Sequence, residues 1–491
     1  PVLYDNTKNQ SPAGSYLAQG WGYLSPAGVS ALFPDGTVYI TKSLLTEPNH
    51  KNKEGEASQQ QNTGVPVSPS TSGVIAFRLP KLPEGFSYGE FTIHDHTLYA
   101  ESLVRRTFGQ VPGGMFGADE NARIGFFDPR QGTETCGFAE QMASDEIMLL
   151  ITGDPYWAEN CEDIAFNSYP AAFMPDYKSL RYITSPNMVM SDSENHKPGI
   201  DNAGPFLAMN PFSSRCCQHN HGFAWPYYAE HLILATPDNG AAAVLFNACE
   251  AQMKVADGKK IVIKEMTDYP FDTQISFTVE TNEETVKFPF YIRIPSWTRN
   301  ASLKINGKAT AVNTESGNYL CIHREWKNGD KVEVNYPMEI SYRTWQVNKN
   351  SVSVDYGPLT LSLRIAEKYV EKNSAETAIW DSKWQEGADT SQWPSYEIYP
   401  DSPWNYALQV QSVKLKERKD LKPGVNPFTQ AEIPLVFEAY GRQIPDWKID
   451  EYKLCGVLPD EDAVKSDTSE KLELIPMGAA RLRISAFPTC K

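Results

Sequence analysis

The chain has 491 residues, 22% of them charged and 41% hydrophobic, a globular composition. At roughly 100–200 residues per domain that length predicts two to four domains. A net charge of −16 argues against nucleic acid or an anionic membrane surface as partner, and no apolar run approaches the ~20 residues that a membrane-crossing helix needs.

The 35 prolines, 24 tyrosines and 11 tryptophans point to many turns and to aromatic surfaces suited to sugars. Residues 1–90 are rich in Gly, Pro, Ser and Asn and form an irregular, β-rich segment. Thr37-Val38-Tyr39-Ile40 and Val74-Ile75-Ala76-Phe77 read as strands within it, and residues 46–72 as a polar loop. Leu98, Leu103, Val104 and Phe108 recur at helical spacing and predict a helix over 97–109, ended by Val111-Pro112-Gly113-Gly114. His94 and His96 precede it and read as turn histidines, with a His-x-His metal pair as the alternative. The loop over 111–132 alternates carboxylates and arginines (Asp119, Glu120, Arg123, Asp128, Arg130). It suits a polar ligand or a surface stitched by ion pairs.

From Glu134 the pattern is helical, with Phe138, Met142, Ile147, Leu149 and Leu150 apolar and Gly153-Asp154-Pro155 as the stop. A second helix is expected over 156–169 and a third around 225–231, separated by a loop-rich stretch over 171–214. Helical hairpins joined by long loops read as part of a helical toroid, so residues 91–238 form one domain. From about residue 240 the period changes to two. Ile261-Val262-Ile263, residues 274–279, residues 290–294 and residues 331–334 read as strands, and Asp257-Gly258, Asn306-Gly307 and Asn328-Gly329-Asp330 as hairpin turns. Residues 239–366 are expected to form an antiparallel β-sandwich, and residues 367–491 a second β-rich region.

Eight cysteines in so long a chain are not a disulfide framework. Cys161, Cys249, Cys321 and Cys455 have apolar neighbours and read as buried thiols; Cys490 is unassigned. Cys136, Cys216, Cys217 and Glu134 make a donor set that suits one zinc ion, which takes four ligands tetrahedrally at ~2.3 Å to sulfur. Adjacent cysteines cannot both point the same way along a regular element, so such a site would sit on a bent loop. Two buried thiols, or halves of two disulfides in an extracellular assembly protein, remain open on the residues alone.

Several stretches resemble the β-L-arabinofuranosidases of glycoside hydrolase family 127 and the related family 146. They are Gly117-Ala118-Asp119-Glu120-Asn121, Thr133-Glu134-Thr135-Cys136, Arg215-Cys216-Cys217, Tyr291-Ile292-Arg293-Ile294-Pro295-Ser296-Trp297, Trp326-Lys327 with Gly329-Asp330, and Tyr356-Gly357-Pro358-Leu359. The resemblance covers residues 110–365 and, weakly, the end of the chain. It implies an α+β multidomain fold, an (α/α)6-type helical barrel followed by antiparallel β-sandwich domains. It implies a retaining exo-enzyme acting on terminal L-arabinofuranose or a related pectic sugar. Glu134, Cys136, Cys216 and Cys217 would hold Zn2+, Cys216 would be the nucleophile and Glu120 the acid/base.

The chain departs from the family ahead of Glu120, where too few residues, and those not helical in pattern, stand in place of a long run of barrel helices. An incomplete barrel is therefore expected, its other half missing or supplied by another chain, and a homo-oligomer is compatible with that. His219, His221 and Glu140 lie close enough in sequence to contact sugar, or to serve only the loop and helix they sit on. A carbohydrate-binding protein that keeps a structural zinc is the alternative function. The chain starts at Pro1 without an initiator Met or signal sequence, which leans toward a processed, periplasmic or extracellular protein.

Overall fold

The computed structural model describes residues 109–115, 128–194, 196, 208–209, 216–310, 315–377 and 389–490, helical positions Glu101 and Arg105, and three strands nearer the N-terminus. The chain divides into two units, Pro1–Ala100 and Glu101–Lys491. In the first, Thr37–Thr41 pairs antiparallel with both Ala31–Leu32 and Val74–Arg78. The histidines at 94 and 96, the loop around Glu120, and most of the helix expected over 97–109 lie outside the described residues.

In the second unit, helix α1 spans Thr135–Thr152 and ends where Gly153 turns left-handed (φ 67°), its N–H donating to the Leu149 carbonyl at 2.8 Å. Helix α2, Pro155–Asp163, starts at once: the Asp154 carboxylate accepts from the Tyr156 N–H at 2.9 Å, and Pro155 occupies the first turn, where its missing N–H is harmless. A π-turn over Ile164–Ser168 leads into the short helix α3, Tyr169–Ala172. Helix α4 covers Cys217–Glu230. It opens at the cysteine pair, earlier than the sequence suggested, so the pair sits on a helix start and not on a bent loop. The described helices do not close an (α/α)6 ring; among the described residues strands outweigh helices.

Two sheets follow. One is six-stranded and wholly antiparallel, running from Cys249–Val255 to Lys308–Ala309. The other is four-stranded, and in it Ala241–Ala243 lies parallel to Val286–Ile294, so the expected all-antiparallel pattern fails at that one pair. Phe277 of the first sheet meets Phe290 of the second edge-on at 5.3 Å. Beyond them lies an eight-stranded sheet with Ile340–Trp345, Ser351–Tyr356, Leu359–Leu363, Tyr406–Gln409, Leu435–Gln443 and Glu470–Pro476. It runs across residue 366, where the sequence suggested a boundary. Of the four cysteines expected to be buried, Cys161 and Cys455 are; Cys249 is half-buried, and Cys321 is exposed because it falls on the outward side of Asn318–Trp326.

Several stretches that carried the resemblance turn out to join the helices to the sheets. Arg293 is fully buried. Its guanidinium pairs with Glu162 of α2, donates to the Val244 carbonyl at 2.5 Å, and lies 4.7 Å over the Phe246 ring. Tyr269 donates to the same Glu162 at 2.8 Å, and Tyr336 to the Arg293 carbonyl at 2.6 Å. The turn Tyr356-Gly357-Pro358-Leu359 is gripped by Asn167 of the π-turn, which donates to the Pro358 carbonyl at 2.9 Å and accepts from the Thr360 N–H at 2.8 Å. Gly357 has φ 58°, and a Cβ there would meet Met338 at 2.8 Å.

Two outcomes follow. Arg293→Met strands the Glu162 charge in the core and is expected to cost about 3–5 kcal/mol, read as a lowered denaturation midpoint. Burial pushes the Glu146 carboxyl of α1 up to about 8. Its folded value is thus above its unfolded one, so its contribution to stability is complete below pH ~4.5 and is lost as pH rises through about 8. Glu146→Gln should match wild type in acid and exceed it by on the order of 2 kcal/mol in mild alkali.

Candidate metal and catalytic site

Residues Thr133–Glu134 form a short strand paired with Ile183–Thr184, Glu134 opposite Ile183. Thr135 then fixes the start of α1: its N–H donates to the Tyr182 carbonyl at 2.9 Å and its hydroxyl to the Arg181 carbonyl at 2.6 Å. This strand-to-helix corner brings the Glu134 carboxylate and the Cys136 thiol together. From the other side, Cys216 precedes the first residue of α4 and Cys217 is that residue. The first turns of two helices therefore meet at the cluster, and the positive ends of both helix dipoles favour anionic ligands there.

The four donor atoms of Glu134, Cys136, Cys216 and Cys217 all lie within 4.8 Å of one another. Cys136 Sγ is 3.1 Å from Cys217 Sγ, which also accepts from the Cys136 N–H at 3.2 Å. Glu134 Oε1 is 3.3 Å from Cys216 Sγ and 3.4 Å from Cys217 Sγ. A tetrahedral zinc with arms near 2.3 Å has ligand–ligand edges of about 3.8 Å, within the span seen here. Three soft sulfurs and one carboxylate fit zinc better than magnesium or calcium. No disulfide joins any of the eight cysteines.

The three thiols differ. Cys217 is buried, and burial pushes its thiol well up. The hydrogen bond it shares with Cys216 is the main cause that raises Cys136. Cys216 is exposed, and hydrogen bonds from Cys136 and then Cys217 pull its thiol down. Burial raises Glu134 to about 7.

The sequence missed several neighbours. Asn220 donates to Cys136 Sγ at 3.4 Å; it lies one turn beyond Cys217, and a helix start placed at Cys217 would have exposed it. The Tyr182 carbonyl is 4.0 Å from Cys217 Sγ. His221 bonds the Cys217 carbonyl through Nδ1 at 2.8 Å, and its ring rests 5.5 Å from that of Phe173. His219 is exposed, and Glu140 lies on the exposed face of α1. Glu120 lies outside the described residues. Of the charged loop before the site, the described part is an ion-pair clasp, with Arg130 held by Asp128 at 2.8 Å and Asp450 at 2.9 Å.

Residues 93–230 match the profile of the β-L-arabinofuranosidase GH127 catalytic domain, and residues 241–338 that of the GH127 middle domain. The chain belongs to glycoside hydrolase family 127. Residues 1–101 match a separate family of unknown function. No curated protein sequence matches. Among solved structures the chain is similar to a protein described as a glycoside hydrolase, at 19% identity and TM-score 0.55, covering 75% of this chain and 54% of that one. It is similar to a GH127 β-L-arabinofuranosidase from Geobacillus stearothermophilus T6, at 18% identity and TM-score 0.52, covering 74% and 51%. A further GH127 β-arabinofuranosidase aligns at 17% identity and TM-score 0.54, covering 77% and 53%. At these identities the likeness is one of fold, and this family-127 chain spans about half the length of the structures it matches.

The ligand set predicts one zinc per chain by elemental analysis. Cys136→Ser and Cys217→Ser should each reduce it well below one, while His219→Ala, on the exposed surface, leaves it intact. Deprotonation must accompany binding, and Glu134 titrates near 7. Chelator competition should therefore show zinc held more tightly as pH rises from about 6 to about 8.

Proposed function

We propose that this chain is a retaining, zinc-dependent exo-glycoside hydrolase that releases terminal L-arabinofuranose or a related pectic sugar. The observation that carries the reading is the asymmetry of the thiol cluster. Cys136 and Cys217 are buried and Cys216 is exposed at the N-terminus of α4, so it is the one thiol of the three that a substrate can reach. A site built only to brace the fold has no need of an accessible thiol.

Zinc held by Glu134, Cys136, Cys216 and Cys217 would keep their thiols deprotonated at neutral pH. In the first step Cys216 Sγ attacks the anomeric carbon. An S–C bond forms, the C–O bond to the leaving group breaks, and Glu120 gives its proton to the departing oxygen. In the second step Glu120 takes a proton from water, the water oxygen bonds the same carbon, and Cys216 leaves as thiolate. Two inversions at one carbon retain its configuration. Most retaining glycosidases use two carboxylates for these roles; here one is replaced by a thiolate, the better nucleophile. The roles of Cys216 and Glu120 come from the family resemblance, and for Cys216 its exposure supports it. Meanwhile Asn220 and the Cys136 N–H supply hydrogen bonds to the non-reacting sulfurs, holding them in place while Cys216 moves between free and glycosylated forms.

Release of arabinose from an aryl β-L-arabinofuranoside tests the reading. Cys216→Ala and Glu120→Gln should each lower kcat/KM by about 10²–10⁴-fold. Full activity in Glu120→Gln would contradict the acid/base assignment. Absence of any release by zinc-loaded wild type would contradict the arabinofuranosidase reading.

A further inference from the structure

Two amide N–H groups reach the sulfurs of the candidate metal site. The Cys136 main-chain N–H donates to Cys217 Sγ at 3.2 Å, and the Asn220 side-chain amide donates to Cys136 Sγ at 3.4 Å. The first comes with the start of α1, whatever side chain stands there. The second depends on one side chain. Asn220 also donates its main-chain N–H to the Cys216 carbonyl at 2.9 Å. It is thus tied to Cys216 by its backbone and to Cys136, across the helix pair, by its amide. A metal-bound thiolate only accepts hydrogen bonds, so of the two ends of that amide only the NH2 can face it.

Charge gives this bond its weight. Three thiolates and one carboxylate around a divalent zinc leave a formal charge of about −2. The helices whose first turns meet at the site, α1 and α4, contain no Lys or Arg. Arg181, in the strand behind the site, turns its guanidinium away, to the Ser191 hydroxyl, the Ala171 carbonyl and the Met174 sulfur. Arg215, ahead of Cys216, lies outside the described residues. Among the described residues the excess charge is therefore met by dipoles: two helix N-termini, the Cys136 N–H, the Asn220 amide and the side-chain hydrogen bond of Tyr182 to Cys216.

We propose that Asn220 is a positioning residue of the metal centre, whose amide N–H on Cys136 Sγ offsets part of this excess charge and so secures the zinc. The contact does more than hold a sulfur in place. A thiolate that accepts a hydrogen bond is less basic and less nucleophilic. Cys136 is thereby kept as a spectator ligand beside the exposed Cys216. The role rests on the zinc reading of the donor set, and on the glycosidase reading only for Cys216 as the attacking thiol.

Cobalt(II) bound to the full chain in place of zinc tests it, through the sulfur-to-metal charge-transfer band in the near ultraviolet. Asn220→Leu removes the donor; Asn220→Asp keeps the shape and presents an acceptor. Losing the hydrogen bond raises the energy of the sulfur lone pairs, so both variants should move the band to lower energy. Both should also bind zinc about 10–100-fold more weakly in chelator competition, Asn220→Asp the more so. His219→Ala, an exposed neighbour, should change neither. A damaged fold weakens binding without moving the band, so an unshifted band in Asn220→Leu, with or without weaker binding, would overturn the proposal. Should Asn220→Leu not fold, Asn220→Asp decides by the same band. No cobalt band in wild type would overturn it together with the zinc reading. Shifted bands in a chain that releases no arabinose would support Asn220 while the arabinofuranosidase reading fails. Arabinose release with metal binding and band unmoved by either variant would do the reverse.

Discussion

Everything at the candidate site depends on one corner, where a two-residue strand becomes a helix. Thr135 is tied to the carbonyls of Arg181 and Tyr182, and this fixes the direction in which α1 leaves the strand. Glu134 and Cys136 flank Thr135, so they are placed as a pair. The start of α4 then supplies two thiols from the opposite side, and the Cys136 N–H closes the contact on Cys217 Sγ. Two helix N-termini aimed at one point make that point a place for negative charge. The same placement leaves Cys216 outermost. Position and access are thus consequences of how two helices start.

The corner is held from behind by the β-domains. Arg181, whose carbonyl receives Thr135, sits in a sheet with Ala208–Met209, Ser395–Pro400 and Glu367–Lys372. Glu367 and Tyr369 of that last strand line a cavity of about 340 Å³. On the other flank, α2 is anchored to the middle domain through Glu162 and Arg293, and the π-turn to the eight-stranded sheet through Asn167. These are buried polar contacts between elements far apart in sequence. They fix relative position, which apolar packing alone does loosely. The glycosidase function proposed above would need such rigidity, since nucleophile and proton donor must meet one carbon from defined directions.

Much of this was legible in the sequence, and the failures have identifiable causes. The strands at 261–263, 274–279, 290–294 and 331–334 were read from the period-two pattern, and turns from Asp-Gly and Asn-Gly pairs that adopt left-handed backbone at Asp257, Asn306 and Gly329, while Ser302–Ile305, Lys308–Ala309 and Asn318–Trp326 were not read. The end of α1 followed from Gly153-Asp154-Pro155. The start of α4 did not, because Cys217-Gln218-His219-Asn220 has neither a capping side chain nor an apolar stripe. Its first turn is set by the cluster, a tertiary constraint invisible to local pattern. The parallel placement of Ala241–Ala243 was missed for a related reason: three alanines carry no periodicity, and their neighbour is chosen by the crossover. The donor set was readable as residue types, but its assembly required the fold. Nothing in the local pattern around Arg181, Arg481 and Arg483 marked them as buried neighbours, since arginine in a sequence reads as surface.

The central claim is that Glu134, Cys136, Cys216 and Cys217 hold one zinc ion. X-ray absorption at the zinc edge of the purified chain tests it most directly. The account predicts three sulfur scatterers at about 2.3 Å and one oxygen at about 2.0–2.2 Å. A shell dominated by nitrogen or oxygen, or fewer than three sulfurs, would contradict it.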